Sequence, residues 1–142
     1  MIDRDKILDK LRFIEGNLAK LRPFGQVPVE SFADDYTKVY SARYLLQTSI
    51  ETMIDVANHI IARNGWGSPK SYAESFTILT REGILSKEML PTYIKMARFR
   101  NRVVHLYDTV DDAEVYGIVR DHLGDFEEFM TQVGAHLGSL GA

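Results

Sequence analysis

An arginine, a histidine and a tyrosine stand close together late in the sequence, and their side chains could act on a phosphodiester. They are Arg100, His105 and Tyr107, within the run from 97 to 108. Arginine supplies a permanent forked cation for phosphate oxygens, and histidine takes or gives a proton near neutral pH. One group could remove the 2′-hydroxyl proton of RNA while the cation stabilises the charge building on phosphorus. This chemistry requires no metal ion and no cofactor.

Each of these side chains also has a structural interpretation. His105 lies between two apolar residues and could be a hydrogen-bonded core histidine. The arginines could form a solvated cationic face near a helix C-terminus, where the helix dipole favours them. Tyr107 could be a buried ring. Arg98 and Arg102 flank Arg100, so the pattern leaves open which arginine would contact phosphate.

Helix geometry limits how these groups can meet. At about 100° per residue, Arg100 and Tyr107 share one face of a helix, whereas His105 lies about 140° away from Arg100. Convergence of Arg100 and His105 therefore needs a bend, a nearby helix end or a second subunit. We expect a symmetric homodimer with the two copies of the motif facing one cleft.

Helical periodicity extends through nearly the whole chain. Apolar residues recur every three or four positions, and no alternating strand pattern persists. The predicted helices cover approximately 7–21, 31–63, 72–82, 86–105 and 111–137. Pro91 falls inside the fourth, so that helix could start later or kink there. The pattern predicts an all-α, four- or five-helix up-and-down bundle that dimerises.

Several details of these helices are also predicted. Ser31 is a candidate cap of the long helix, and Tyr36 and Tyr40 are assigned to its inner side. His122 falls in the apolar stripe of the last helix, where a structural role is expected. One domain covers residues 1–142, and 138–142 are expected to form a frayed tail.

The composition excludes several classes of protein. The 142 residues include 45% hydrophobic and 26% charged residues, which is typical of one globular domain. The net charge is -3, so any RNA contact must be local rather than due to bulk positive charge. There are no cysteines, which excludes disulfides and thiolate chemistry. An apolar signal core and a membrane-spanning stretch are also lacking, so a cytoplasmic protein without membrane contact is expected.

The order of the motif residues resembles the signature of HEPN domains, in which an arginine, four residues, a histidine, one residue and a tyrosine follow one another. The surroundings resemble HepT-like toxins. The resembling segments are 51–61, with the sequence Glu-Thr-Met-Ile-Asp-Val-Ala-Asn-His-Ile-Ile, then 65–69, and Tyr72, Phe76, Leu79 and 83–85 beyond it. The likeness covers most of residues 1–130.

The resemblance implies a fold, an activity and a partner. It implies a toxin that is a metal-independent endoribonuclease, with Arg100 and His105 as catalytic residues. Its RNA substrate is unspecified, and the exposed end or loop of tRNA is one candidate. It also implies a minimal nucleotidyltransferase (MntA-like) antitoxin, which neutralises the toxin by adding AMP to the motif tyrosine, here Tyr107. Asn101 fits the polar position beside the motif arginine, and Arg102 is a further supporting residue.

A polar stripe on the long helix could support this site. Glu51, Asp55 and His59 follow at intervals of four residues. The carboxylates of Glu51 or Asp55 could orient Arg100. The stripe could also hold a metal ion or simply be a solvated face, and we predict no metal site.

Two other functions remain open from the sequence. The chain could be a non-catalytic HEPN partner whose motif is only a docking and acceptor site for the nucleotidyltransferase. It could also be a degenerate helical scaffold that only dimerises. The intact spacing of arginine, histidine and tyrosine argues against the scaffold.

Overall fold

Helices and short 3₁₀ turns make up the fold. The computed structural model describes residues 2–140, and no β-strand occurs in that range. The predicted all-α helical bundle is therefore confirmed. Seven α-helices are found within the described residues: α1 (Arg4–Leu21), α2 (Val29–Ala33), α3 (Tyr36–Asn64), α4 (Tyr72–Arg81), α5 (Leu90–His105), α6 (Asp112–Asp121) and α7 (Leu123–Leu140). The 3₁₀ turns cover Arg22–Gln26 and Tyr107–Thr109.

The long helix α3 is the element on which the others are arranged. α1, α4 and α5 each pack against it, and α7 packs against α1 and α6. The apolar stripe predicted for α1 faces this core, and all five of its members are buried: Ile7, Leu11, Ile14, Leu18 and Leu21. Burial of these stripes supplies most of the stability of such helices.

The helix ends follow their capping residues. Gly65 ends α3 in a left-handed conformation with φ of 66°, as a glycine can at little cost. The helix α5 begins at Leu90 and carries Pro91 in its first turn, where the missing N–H breaks no hydrogen bond. Pro91 therefore starts this helix and does not kink it. The carboxylate of Asp111 caps α6 by accepting from Glu114 N at 2.7 Å.

Two predicted helices are each divided in the structure, which raises the number from five to seven. Asp35, not Ser31, caps the long helix, and α2 is a separate short helix that buries Phe32. Tyr36 and Tyr40 of α3 are both exposed. Their predicted position on the inner side of the helix was therefore wrong. Tyrosine fits either face by periodicity because its ring is apolar and its hydroxyl is polar.

The last predicted helix is interrupted at His122. This residue ends α6 with its ring exposed, so the core position predicted for it was also wrong. The ring lies 3.3 Å from the carboxylate of Asp125. The helix α7 continues to Leu140, so residues 138–140 of the expected frayed tail are helical, while 141 and 142 lie outside the described residues. No helix within 2–140 is long and apolar enough to cross a bilayer.

A histidine near the end of α3 accepts a hydrogen bond from the backbone at the start of α1. The backbone N–H of Asp3 donates to His59 Nε2 at 3.1 Å, which requires the neutral ring. Partial burial lowers the pKa of His59, and the positive charges of Arg63 and Lys6 lower it further. The folded state therefore binds a proton at His59 less readily than the unfolded chain does.

We predict that acid destabilises the protein through this ring. A depressed pKa contributes stability that is present above the unfolded value of about 6.5 and is lost as the pH falls through the folded value. The free energy of unfolding, measured by urea titration, should therefore decrease from about pH 7.5 to about pH 5.5. His59→Gln should reduce this decrease because glutamine does not titrate. Burial also lowers the pKa of His136, so a double variant with His136→Gln should reduce it further.

An equal loss of stability in the wild type and in both variants would contradict this prediction.

Candidate active site

Arg100 is held in place on the side of α5 that faces α3. Its Nε donates to Glu51 Oε2 at 2.8 Å, its Nη2 forms an ion pair with the same oxygen at 2.8 Å, and its Nη1 donates to Asn101 Oδ1 at 3.3 Å. The guanidinium carbon lies 4.8 Å from the ring centroid of Tyr72, a cation–π contact. The side chain is only 14% exposed. The guanidinium has five N–H groups, so these contacts leave some of them for a ligand.

The carboxylate of Glu51 is itself positioned by α3. Gln47, one turn earlier on the same helix, donates its Nε2 to Glu51 Oε2 at 3.2 Å. The expected supporting position of Glu51 beside Arg100 is therefore observed as a direct contact. A paired, hydrogen-bonded guanidinium keeps its orientation before any ligand arrives, which is the requirement for preorganised binding of an anion.

An open cleft of about 230 Å³ lies beside this ion pair. It is lined by Glu51, Ile54, Asp55, Tyr72 and Arg100. Asp55 thus lies at the cleft, where its carboxylate is 3.7 Å from Lys10 Nζ of α1. The cleft thus contains a fixed cation, an aromatic ring and two carboxylates, each of which lies against a cation.

Arg98 and Arg102, the two alternative phosphate-binding arginines, have different surroundings. Arg102 donates from Nη1 and Nη2 to the carboxylate of Glu114 at 2.8 and 2.9 Å, and Nη2 also donates to Thr109 O at 2.7 Å. The Glu114 carboxylate raises the pKa of Arg102 further. Arg98 is exposed and forms no ion pair with any residue in 2–140. Of the three, only Arg100 lines the cleft.

His105 is the last residue of α5, and its ring is exposed. The helix is uninterrupted between Arg100 and His105, so the two side chains leave it about 140° apart. The helix end comes only afterwards, at Leu106 with φ of -134° and ψ of 46°. A single chain therefore does not bring the histidine and the ion-paired arginine onto one face.

Tyr107 lies beyond the helix end, in the 3₁₀ turn. Its side chain is 69% exposed, so the alternative of a buried ring was wrong. Arg43 of α3 binds the backbone of this turn: Nη1 donates to Tyr107 O at 3.1 Å, and Nη2 donates to Val110 O. Sequence reasoning missed Arg43 because it lies 64 residues away and binds carbonyls, which leave no sequence pattern.

The polar stripe on α3 does not converge on one point. Glu51 binds Arg100, Asp55 lies near Lys10, and His59 accepts from the backbone of Asp3. Each member therefore has a separate partner. Within residues 2–140, no group of three or more histidine, aspartate or glutamate side chains is placed to hold a metal ion.

The sequence is similar to known nucleases. The family described as Ribonuclease HepT-like matches residues 14–133. The mRNA nuclease HepT of Shewanella oneidensis is 35% identical over 104 residues, which cover 73% of this chain and 78% of that protein. The tRNA nuclease HepT of Aphanizomenon flos-aquae is 24% identical over 131 residues, covering 92% of this chain and 89% of that protein.

Solved structures resemble the whole fold. A toxin–antitoxin crystal structure with AMP-PNP has a TM-score of 0.86 at 30% identity and covers 93% of this chain and 99% of that chain. A tri-AMPylated Shewanella oneidensis HEPN toxin in complex with an MNT antitoxin has a TM-score of 0.85 at 30% identity, with 95% and 99% covered. The Bacillus subtilis protein YutE, at 24% identity and a TM-score of 0.81 over 97% and 92%, shares the fold.

Proposed function

Because this chain belongs to the ribonuclease HepT-like family, we propose that it is the endoribonuclease toxin of a toxin–antitoxin pair. The family membership confirms the resemblance on which the sequence analysis relied. A relative at 35% identity is an mRNA nuclease, and structures at 30% identity are toxins with their antitoxins. The Bacillus subtilis protein YutE, which shares the fold, is described as cytosolic, and we propose that this chain acts in the cytoplasm as well.

The observation that carries the catalytic proposal is the fixed guanidinium of Arg100 in an open cleft, on the helix that ends at an exposed His105. Arg100 binds the non-bridging phosphate oxygens, and Glu51, with Asn101, holds it in orientation. His105 takes the proton from the 2′-hydroxyl, whose oxygen attacks phosphorus. The bond from phosphorus to the 5′ oxygen breaks, and the imidazolium returns the proton to that oxygen. The products are a 2′,3′-cyclic phosphate and a 5′-hydroxyl.

The separation of Arg100 from His105 supports a site shared between two chains. An exposed aromatic face on α3, formed by Tyr36, Tyr40 and Tyr44, lies within about 60° of Glu51 around the helix. Large exposed aromatic surfaces such as this tyrosine face mark contact sites. A second copy covering it would bring its own His105 toward the cleft across a two-fold axis.

We predict that Arg100→Ala and His105→Ala each lower RNA cleavage about 10²- to 10⁴-fold without unfolding the protein. Arg98→Ala is the matched control, because this exposed arginine has no ion pair and should be replaced without loss. Cleavage of a short single-stranded RNA and its cyclic-phosphate product would be measured, with circular dichroism to check folding. Wild-type activity in His105→Ala would overturn the proposal, as would cleavage of a substrate that lacks the 2′-hydroxyl.

We also predict that the two inactive variants complement each other when they are mixed and refolded. A mixed dimer has one site with both Arg100 and His105 present, so an equal mixture should recover about a quarter of wild-type cleavage. Failure to recover cleavage in mixed dimers that mass spectrometry detects would mean that each site is formed within one chain.

The exposure of Tyr107 favours a second role, as acceptor of AMP from a minimal nucleotidyltransferase antitoxin. The phenolic oxygen would attack the α-phosphorus of ATP, releasing pyrophosphate and the phenolic proton. The added phosphate places negative charge next to the RNA cleft, which opposes RNA binding. This acceptor role could also stand alone, in a partner subunit that cleaves nothing.

We predict that incubation with the antitoxin and ATP adds AMP to the chain and inhibits cleavage. Tyr107→Phe should remove both effects, whereas Asp108→Asn, which changes the next exposed side chain of the same turn and leaves the phenol in place, should keep them. Intact-mass spectrometry with peptide mapping makes the measurement. AMP found on the Tyr107→Phe chain at the wild-type level would contradict the assignment of the acceptor.

A further inference from the structure

The short turn after α5 is held by two arginines that bind its backbone from different helices. Arg43 of α3 donates to the carbonyl oxygens of Tyr107 and Val110. Arg102 of α5 donates to the carbonyl oxygen of Thr109. Two guanidinium groups therefore fix three backbone carbonyls of the turn, those of Tyr107, Thr109 and Val110.

Each of these arginines is in turn anchored to the start of α6. Arg43 Nη2 lies 3.7 Å from Asp112, and Arg102 forms a two-pronged pair with Glu114. The clamp formed by Arg43, Arg102, Asp112 and Glu114 thus joins α3, α5 and α6 around the turn. Charge-assisted hydrogen bonds of this kind are stronger and more directional than neutral ones.

Little else holds this turn in place. Residues 105–109 are all exposed, and Val110 is the first buried side chain after the helix end. Two backbone bonds close the turn, from Thr109 N to Leu106 O at 2.8 Å and from Val110 N to Tyr107 O at 3.3 Å, and Thr109 Oγ1 also donates to Leu106 O at 2.7 Å. Without apolar burial, the conformation of the turn depends on its hydrogen bonds, and segments of this type open at low cost.

We propose that Arg43 is a positioning residue that fixes His105 and Tyr107 through the backbone of this turn. The inference rests on the proposed nuclease and acceptor functions. Arg43 acts from the interior: its side chain is 15% exposed, and its Nε is buried. It therefore fixes the direction in which α5 ends without contacting the RNA.

Arginine suits this position better than lysine does. The planar guanidinium reaches two carbonyl oxygens and a carboxylate at once from a single rigid group. A lysine ammonium is a point charge on a flexible stem and would keep only part of this geometry. The identity of the side chain, and not only its charge, should therefore matter to the site.

The test compares Arg43→Gln and Arg43→Lys with Val133→Ala. Val133 is fully buried in α7, so its truncation destabilises the core without touching the turn. All proteins are assayed well below their melting temperatures. Hydrogen exchange of peptides from 105 to 112, the kcat and KM of RNA cleavage, and the rate of AMP transfer by the antitoxin are measured.

For Arg43→Gln we expect faster exchange in 105–112, a kcat lowered about tenfold or more, KM within about twofold, and slower AMP transfer to Tyr107. Arg43→Lys should recover part of each loss. Val133→Ala should exchange faster in the core but keep wild-type kcat.

Unchanged exchange in 105–112 with unchanged kcat would overturn the proposal. A fall in kcat equal to that of Val133→Ala would assign Arg43 to general stability, and a rise in KM alone would assign it to RNA binding. Each of those two results also overturns the proposal that Arg43 is a positioning residue. If the wild type cleaves no RNA, the nuclease proposal fails, while exchange and AMP transfer still test Arg43.

Discussion

A guanidinium that is largely removed from water needs a fixed counter-charge, and Arg100 obtains it from Glu51 on the neighbouring helix. The contact joins α3 to α5 at the point where the two helices pack. It also sets the direction of the remaining donors of Arg100, which lie at the cleft. The cleft and the packing of α5 on α3 are thus linked to one ion pair.

Three arginines within five residues have three different environments because alternate positions of a helix face different sides. Arg100 faces α3, Arg102 faces the start of α6, and Arg98 faces solvent. Only one of them combines burial, a carboxylate partner and an open cleft. A further arginine, Arg43, binds two backbone carbonyls and lies beside the carboxylate of Asp112. Arg43 and Arg102 therefore bind backbone carbonyls, whereas Arg100 lies at the cleft.

The sequence predicted the features that depend on local patterns. Helical periodicity identified the bundle, and Gly65 marked the end of α3. Contacts between distant residues were harder to predict: the polar stripe suggested that Glu51 or Asp55 could orient Arg100, but it did not indicate that Glu51 is the one in contact. The clamp by Arg43 had no sequence signal at all. The orientation of Tyr40 was mistaken because apolar periodicity treats an amphipathic ring as a core residue.

The angle around the helix axis that separates Arg100 from His105 affects how the activity of the proposed toxin would be controlled. If one chain holds the cation and a second supplies the imidazole, then a monomer newly released from the ribosome is inactive, and activity rises with the square of concentration at low levels. The exposed Tyr107 lies two residues beyond that imidazole, on a turn with almost no apolar burial. A modifying enzyme can reach this turn without unfolding the bundle. The negative charge of a phosphate added there would repel the phosphates of RNA. The proposed catalytic imidazole and the proposed AMP acceptor therefore lie on one short segment at the end of α5.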